Sequence, residues 1–551
     1  MSIRAARPLA PRRSAVAGAR AALAVALAAL AACAAQPPLP ADPAGALFAR
    51  GLSEITDLYI EPISSRRLAL SGAARLAALD RRLAVFETPA SGERVVFEVA
   101  YDGRRVAAYP IPASGGAEDW GRLLGETIAA AKRVSPRIAA MPQAAIEQAV
   151  FDGITGALDR FSRYAAPDVA RDRRAARDGF GGIGVTVDLG DRYRVTAVAP
   201  NGPAERGGIR AEERIVAIDG APIAGLSQGE IVHRLRGPVA STVAVAVARP
   251  GLAQTRDFRL QRALVIVPTV TVSRDGDIAL FRVAAFNKST TRRLAAGLRD
   301  AEREAGGRLA GIVLDLRSNP GGLLDQAVSL TDLFVADGPI VSTIGRHPAS
   351  RQYFAASGDS IAPRLPVVVL INGGSASAAE IVAAALQDRG RAVVVGSSSY
   401  GKGTVQTVLR LPNKGELTFT WARLLTPSGY RLDAHGVVPT LCTSGLGDDS
   451  VALEAAVARA GAAAPPSSAS ARAALDEPAW SRLRRSCPAR HSSPAIDIKL
   501  AERLLADPRL YSAALHAIPP PVGLARIRPK APRAPSLTGP GSALSFDGRP
   551  P

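Results

Sequence analysis

The chain has 551 residues, enough for about three or four domains and at least one full hydrophobic core. Hydrophobic residues make up 47% and charged residues 21%, which excludes a wholly disordered chain, and a single long apolar run excludes a polytopic membrane protein. The formal charge is +19, but the basic residues are scattered, without the dense runs of a nucleic-acid surface, so no nucleic-acid partner is expected.

Arg4, Arg7, Arg12, Arg13 and Arg20 lie in a stretch with no acid and frame the apolar run AALAVALAALAA at 21–32. About twelve apolar residues match a signal-peptide core and are too short to span a bilayer. The run ends in Leu30-Ala31-Ala32-Cys33, which is similar to a bacterial lipobox, whose Cys is lipidated and becomes the mature N-terminus. The expectation is a signal peptide over 1–33, export to the periplasm, and attachment to the membrane by a lipid on Cys33 rather than by a spanning helix. A plain secretory signal with an Ala-x-Ala cleavage site is the alternative. With Cys33 lipidated, Cys442 and Cys487 remain, and an oxidising compartment permits a disulfide between them.

Residues 34–46 are Pro/Ala-rich and read as a tether. From 47 to 80, Phe48, Leu52, Ile55, Leu58 and Tyr59 recur at helical spacing. Residues 81–110 alternate as short strands, and 120–160 return to helix. Strand-like runs fill 179–262, with helical pieces at 203–208 and 227–236. From 263 to about 440 strands and helices alternate, which predicts an α/β core with a mixed, mostly parallel sheet. Beyond 442 the chain is Ala/Pro/Ser-rich, with a helical patch at 496–515 and a Pro-rich tail from 517 that reads as disordered. The domains so drawn are a signal segment 1–33, a helical region with a strand insertion 34–178, a small α+β unit 179–262, an α/β core 263–441, and an extension 442–551.

The unit at 179–262 carries Phe180-Gly181-Gly182-Ile183-Gly184-Val185, then Asn201-Gly202-Pro203-Ala204, then Arg214 to Gly220 (RIVAIDG). It resembles a PDZ domain. In that family a Gly-rich loop offers backbone N–H groups to a peptide's terminal carboxylate, and the peptide adds as a strand to the sheet edge. The resemblance implies that Gly182 and Gly184 form the loop and that Ile183 and Val185 line an apolar pocket. Arg236 is a further candidate for the carboxylate, with a solvated helix-end role as the alternative.

The run Asn372-Gly-Gly-Ser375-Ala-Ser377-Ala378-Ala-Glu380 follows the apolar strand PVVVLI and opens a helix. A nucleophile at such a junction sits where a helix N-terminus stabilises developing negative charge, whereas a plain Ser cap with an acid in the first turn leaves the same pattern. A Ser hydroxyl needs a base. None of the five His has a Ser–His–Asp context, although His435 stays open. Lys402, one of six lysines, lies in Gly401-Lys402-Gly403 just past the strand AVVVG. An ordinary Lys has a pKa of about 10.4, and burial lowers it toward the neutral form that accepts a proton. Gln406, four residues on, is placed to orient the amine.

Together these residues resemble the C-terminal processing peptidases, or tail-specific proteases. There a Ser in SASA-x-E attacks and a Lys in GKG, 25 residues later, is the base, which selects Ser377 over Ser375 here. The resemblance also implies a structural Asp388 and matches Asp315-Leu-Arg-Ser-Asn-Pro-Gly321-Gly322 to an oxyanion loop, in which Gly321 or Gly322 acts with the Ala378 N–H. It implies a crotonase-like core, a Ser–Lys endopeptidase that captures unfolded or C-terminally exposed proteins, a possible adaptor lipoprotein, and no metal or cofactor. Two other classes compete. A non-catalytic PDZ scaffold would have no need of Ser377, Lys402 and Gln406 together. An acyl-CoA enzyme of the crotonase fold fits poorly with an export signal and a PDZ unit.

Overall fold

In a computed structural model, residues 42–516 are described apart from 90–94, 113–114, 189, 191–192, 250–253, 448, 462–474 and 491–492. The expected signal segment, Cys33 and the tail from 517 lie outside the described residues. The chain divides into two units, residues 1–171 with 406–421, and residues 172–405 with 422–551.

The first unit is built on helices Pro43–Leu58, Ser65–Ala77, Ala117–Val134 and Gln143–Gly156. Their apolar stripes bury Phe48, Leu52, Ile55, Leu68, Leu124, Phe151 and Ile154, and the returning segment adds Leu411, Leu417 and Phe419. The first helix starts within the stretch expected as tether, because Asp42 caps it by accepting the Gly45 N–H at 2.9 Å and Pro43 occupies the first turn. Strands Leu83–Pro89, Val95–Tyr101 and Arg104–Pro110 form a three-stranded antiparallel sheet. It turns at Asp102-Gly103, both at positive φ, and points Phe97 and Val99 into the core.

In the second unit a sheet runs in the order Thr255–Gln261, Thr242–Ala248, Arg214–Ile218, Arg194–Val198, Val185–Asp188, with every neighbour antiparallel. Helix Gln228–Leu235 packs against it, started by a Ser227/Glu230 capping box. Ile183, Val195, Ile215, Ile231 and Val245 fill the interior. Phe180–Gly182 pairs with Ala263–Val265, so entry and exit of this module are tied together.

A six-stranded sheet follows, in the order Val270–Asp275, Ile278–Val283, Gly311–Asp315, Val367–Ile371, Val393–Gly396, Leu441–Cys442. The first pair is antiparallel and the rest are parallel. The expectation of a mostly parallel sheet describes this sheet alone. Strands Pro339–Ile344 and Gln352–Ala355 pair antiparallel beside residues 423–425, and antiparallel pairing predominates over the described residues as a whole.

The three central parallel strands are buried throughout, as continuous apolar runs covered on both faces must be. Ile312, Leu314, Val369 and Val394 face helices Thr290–Glu304, Leu324–Asp332 and Ala378–Asp388. Val313, Val368, Leu370 and Val395 face Leu500, Ala501, Leu504 and Leu505 of helix Pro494–Ala506. Residues beyond 442 therefore complete the core, and a domain boundary there cuts through it. Helices Ser450–Gly461, Glu477–Ser486 and Pro508–His516 belong to the same extension.

Candidate active site

Three loops leave the C-terminal ends of the parallel strands, where such sheets place their chemistry. After Gly311–Asp315 comes Leu316–Gly322, after Val367–Ile371 comes Asn372–Ser377, and after Val393–Gly396 comes Ser397–Gly403.

Ser377 caps helix Ala378–Asp388 with φ 55° and ψ −115°, a conformation that costs a non-glycine residue about 1–3 kcal/mol. Such strain at a strand-to-helix turn is how a nucleophile is presented. Ser375 is placed differently. It is fully buried, its hydroxyl donates to Leu316 O at 2.8 Å, and it accepts the Asn372 N–H at 3.0 Å. Its oxygen is committed to holding two loops together.

The Leu316–Gly322 loop abuts Ser377. Ala376 N–H donates to Asn319 O at 2.9 Å, and Ser318 N–H donates to Asn372 Oδ1 at 2.8 Å. A Cβ on Gly321 would lie 2.8 Å from Ser377 Cβ and 3.0 Å from Ala378 N, so only glycine fits there. The Gly321 N–H is already given to Asn319 Oδ1 at 2.8 Å. Gly322 bridges Phe286 in parallel register, and its neighbours supply the two bonds: Phe286 N–H to Gly321 O, and Leu323 N–H to Phe286 O. That pattern turns the N–H of Gly322 away from Phe286.

Lys402 is half-buried between two glycines that the backbone demands. A Cβ on Gly403 would fall 1.8 Å from Asp433 N, and one on Gly401 3.2 Å from Ala434 C. The segment 432–434 thus lies flat on the lysine loop. Ala434 N–H donates to Gly401 O, and Leu424 N–H to Gly403 O at 2.7 Å.

Glu380 joins the loops. Its carboxylate is fully buried and takes the Ser377 N–H at 2.7 Å and the Lys402 N–H at 2.9 Å on Oε2. Oε1 takes the Gly401 N–H at 2.6 Å and the Ser399 hydroxyl. Burial pushes this carboxyl above its usual range while the four donors pull it back. Only the ionised carboxylate accepts from all four. One side chain therefore fixes the backbones of Ser377 and Lys402 to a common point. In the sequence Glu380 reads as a first-turn acid, because a capping residue and a hub look alike in one dimension.

Gln406 lies on strand Thr404–Arg410, at the start of the stretch 406–421 that belongs to the first unit, and its Nε2 donates to Thr420 Oγ1 at 3.3 Å. Asp388 accepts the Ser428 N–H and hydroxyl, a loop tie. His435, left open by the sequence, stacks its ring on Trp480 at 4.8 Å and faces Glu477 at 3.4 Å. Among the described residues no group of three or more His, Cys, Asp or Glu is arranged to hold a metal ion.

In the small module, Gly182, Ile183, Gly184, Val185 and Arg236 line one groove with Phe180 and helix Gln228–Leu235. Val185–Asp188 is the sheet's edge strand beside it. Arg236 stacks over Phe180 at 4.0 Å and pairs with Asp172 at 3.1 Å.

The profile of peptidase family S41 matches residues 277–442, and that of the PDZ domain residues 194–249. A carboxy-terminal-processing protease of Bartonella bacilliformis is 38% identical over 315 residues, covering 56% of this chain and 72% of its own length. The chloroplastic C-terminal processing peptidase of Tetradesmus obliquus is 34% identical over 301 residues, 51% of this chain and 64% of that protein. A solved photosystem II D1 C-terminal processing protease aligns over 68% of this chain and 92% of its own, at 27% identity and a TM-score of 0.34.

Proposed function

The chain belongs to the carboxy-terminal-processing proteases of peptidase family S41, serine peptidases that here carry a PDZ domain, and on that premise we propose that it works by a Ser377–Lys402 mechanism on proteins captured by their C-termini. The observation that carries this reading is the shared Glu380 carboxylate. It binds the Ser377 and Lys402 backbones at 2.7 and 2.9 Å and so sets nucleophile and base in register.

Neutral Lys402 Nζ takes the Ser377 Oγ proton as Oγ bonds to the scissile carbonyl carbon. The oxyanion is held by the N–H groups of Ala378, at the first turn of its helix, and of Gly322. Gly322 is preferred to Gly321 because the Gly321 N–H is already bound to Asn319. The Lys402 ammonium then protonates the amine as the C–N bond breaks. Water then gives a proton to Lys402 as it bonds to the acyl carbon, and the Lys402 ammonium returns a proton to Ser377 Oγ as the ester bond breaks, which releases the acid and restores the enzyme. Gln406, four residues past Lys402 in the chain, keeps the supporting role that the family resemblance implies. The groove takes an apolar C-terminus as an added strand on Val185–Asp188. The lipobox-like start makes the periplasm, with a lipid on Cys33, the proposed site of action, and an adaptor lipoprotein is compatible with it.

The test uses protein lacking residues 1–33, an unfolded substrate ending in apolar residues, and fragment mass spectrometry. Wild type is expected to cleave, and Ser377→Ala and Lys402→Ala to lose roughly 10⁴-fold or more in rate. Equal cleavage by all three would remove Ser377 and Lys402 from the mechanism. Tight binding of the C-terminus with no cleavage by any of them would favour the scaffold reading.

A further inference from the structure

The extension beyond the matched peptidase region reaches all three active-site loops. Helix Glu477–Ser486 is capped by Asp476 and buries Trp480 and Leu483 in the main core. Trp480 stacks on His435 and tilts against Tyr430 at 4.8 Å. One turn on, Arg484 is drawn under the lysine loop. Its Nη2 donates to Ser399 O at 3.1 Å, and its Nη1 donates to His435 O. Ser399 in turn gives its hydroxyl to Glu380 and accepts the Val437 N–H at 2.7 Å.

The approach needs the glycine at 436. A Cβ there would sit 2.7 Å from Arg484 Nη1, 2.7 Å from Ser399 Oγ and 3.1 Å from Glu380 Oε1. Arg484 and Glu380 are thus opposite charges inside one buried network, and the Glu380 charge favours the charged guanidinium against its burial.

The same extension meets the other two loops. Ala489 Cβ lies 3.0 Å from where a Cβ of Gly373 would be, on the loop leading to Ser377. Asp497, buried on helix Pro494–Ala506, accepts from Arg317 Nη1 at 3.0 Å and from Thr443 Oγ1 at 2.6 Å. Arg317 also donates to Pro494 O and, through Nε and Nη2, to Asp315. Between these anchors a disulfide joins Cys487 at the helix end to Cys442 at the last core strand.

We propose that Arg484 is a positioning residue for catalysis. From the C-terminal extension it holds the Ser399 and His435 carbonyls, and through them the Glu380 carboxylate and the Lys402 backbone, at the geometry that proton transfer from Ser377 needs. The extension is then a working part of the active site, with Asp497 serving the oxyanion loop in the same way. The Ser–Lys reading above is its foundation.

The experiment compares wild type, Lys402→Ala, Arg484→Met and Arg484→Lys as otherwise full-length chains lacking only residues 1–33. Methionine keeps the buried stem and removes the donors, whereas lysine keeps the charge and loses the two-pronged geometry. Rates on the unfolded substrate are normalised to the folded fraction, and binding of a C-terminal apolar peptide to the groove is titrated alongside. The expected result is a kcat per folded molecule lowered about 10²-fold in Arg484→Met, with KM and peptide affinity within twofold of wild type and partial recovery in Arg484→Lys. A wild-type kcat per folded molecule in Arg484→Met overturns the proposal. Should Arg484→Met fail to fold, a wild-type kcat in Arg484→Lys overturns it equally. Full activity in Lys402→Ala would instead overturn the Ser–Lys reading.

Discussion

The two regions that handle peptide are built in opposite ways. The groove of the PDZ module leaves an edge strand, Val185–Asp188, beside aliphatic side chains, so its binding groups wait for a partner. The catalytic loops are largely committed, the buried hydroxyls of Ser397 and Ser398 excepted. Ser375, Asn319, Ser399 and Glu380 are buried, and their polar atoms are bonded within their own loops or to neighbouring segments. A binding site gains from open hydrogen-bonding capacity, whereas a catalytic site gains from loops that do not move when charge develops. Mutations should separate the two: loop ties should cost stability and kcat, and groove residues should cost KM.

The largest effect is expected at Glu380. Glu380→Ala leaves the N–H groups of Ser377, Gly401 and Lys402 and the Ser399 hydroxyl without their acceptor, and Arg484 without its counter-charge. Breaking a buried, paired charge costs about 3–5 kcal/mol, which chemical denaturation would read as a lower midpoint. Glu380→Gln should keep more of the fold, since an amide oxygen still accepts, yet lose most of kcat because its NH2 faces N–H donors. A Glu380→Gln enzyme with normal kcat would show that the loops hold their register without this hub.

Gly403→Ala comes next. Its Cβ would enter the space of Asp433 N at 1.8 Å, so the lysine loop or the 432–434 segment must shift. Overpacking of this kind costs about 1–3 kcal/mol, and here the shift displaces Lys402 directly. Gly403 is not at positive φ, so the contact itself is what the substitution tests, and a Gly403→Ala enzyme with wild-type activity would show that the 432–434 segment yields without moving Lys402.

These residues also mark where the sequence was readable. Short-range chemistry was legible: the strand-to-helix Ser377, the glycines around Lys402, the Gly-rich edge of the PDZ module, and the periodicity of the helices at 47–80 and 120–160. Ser375 and Ser377 are two residues apart, and a spacing from a family resemblance separated them before burial did. Arg484, Trp480 and Asp497 were not legible. Each meets its partner across 45 to 180 residues of chain, and an Arg on an amphipathic helix reads as a solvated face. Of this extension only the helical patch at 496–515 was readable, and nothing in its composition marked it as part of the core, which its four short helices complete. The helix from Pro43 was hidden in a Pro/Ala-rich stretch, although Pro43 serves in its first turn.

On the groove side the expected effect is smaller and confined to recognition. Val232 is half-buried and lines the groove from the helix opposite the edge strand. Val232→Asp places an unpaired charge in an apolar slot that meets a carboxylate terminus. An affinity loss of about tenfold or more is expected, measured by peptide titration, with KM rising in parallel and kcat at saturating substrate unchanged. A fall in kcat instead would mean that the groove also acts on the catalytic loops, and the separation of roles would fail.

The smallest effect joins the extension to acid sensitivity. Burial pushes the His435 pKa below its ordinary value of 6.5; Arg431 and Arg484 add to that push, and Glu477 and Asp433 oppose it. The native state therefore favours the neutral ring stacked on Trp480, and the unfolded chain binds the proton first. Stability from this group is fully present above about pH 6.5 and is lost as pH falls below it, with a slope of at most about 1.4 kcal/mol per pH unit. Glu380 and Asp497, whose pKa values are raised, act in the opposite sense at lower pH, so a single pH curve would mix the terms. The difference between wild type and His435→Gln isolates the ring. Denaturation midpoints at pH 7.5 and 5.5 should fall more steeply in wild type than in the variant. Parallel changes would mean that His435 is protonated without leaving Trp480, and that the contact between extension and core at this point does not depend on its charge.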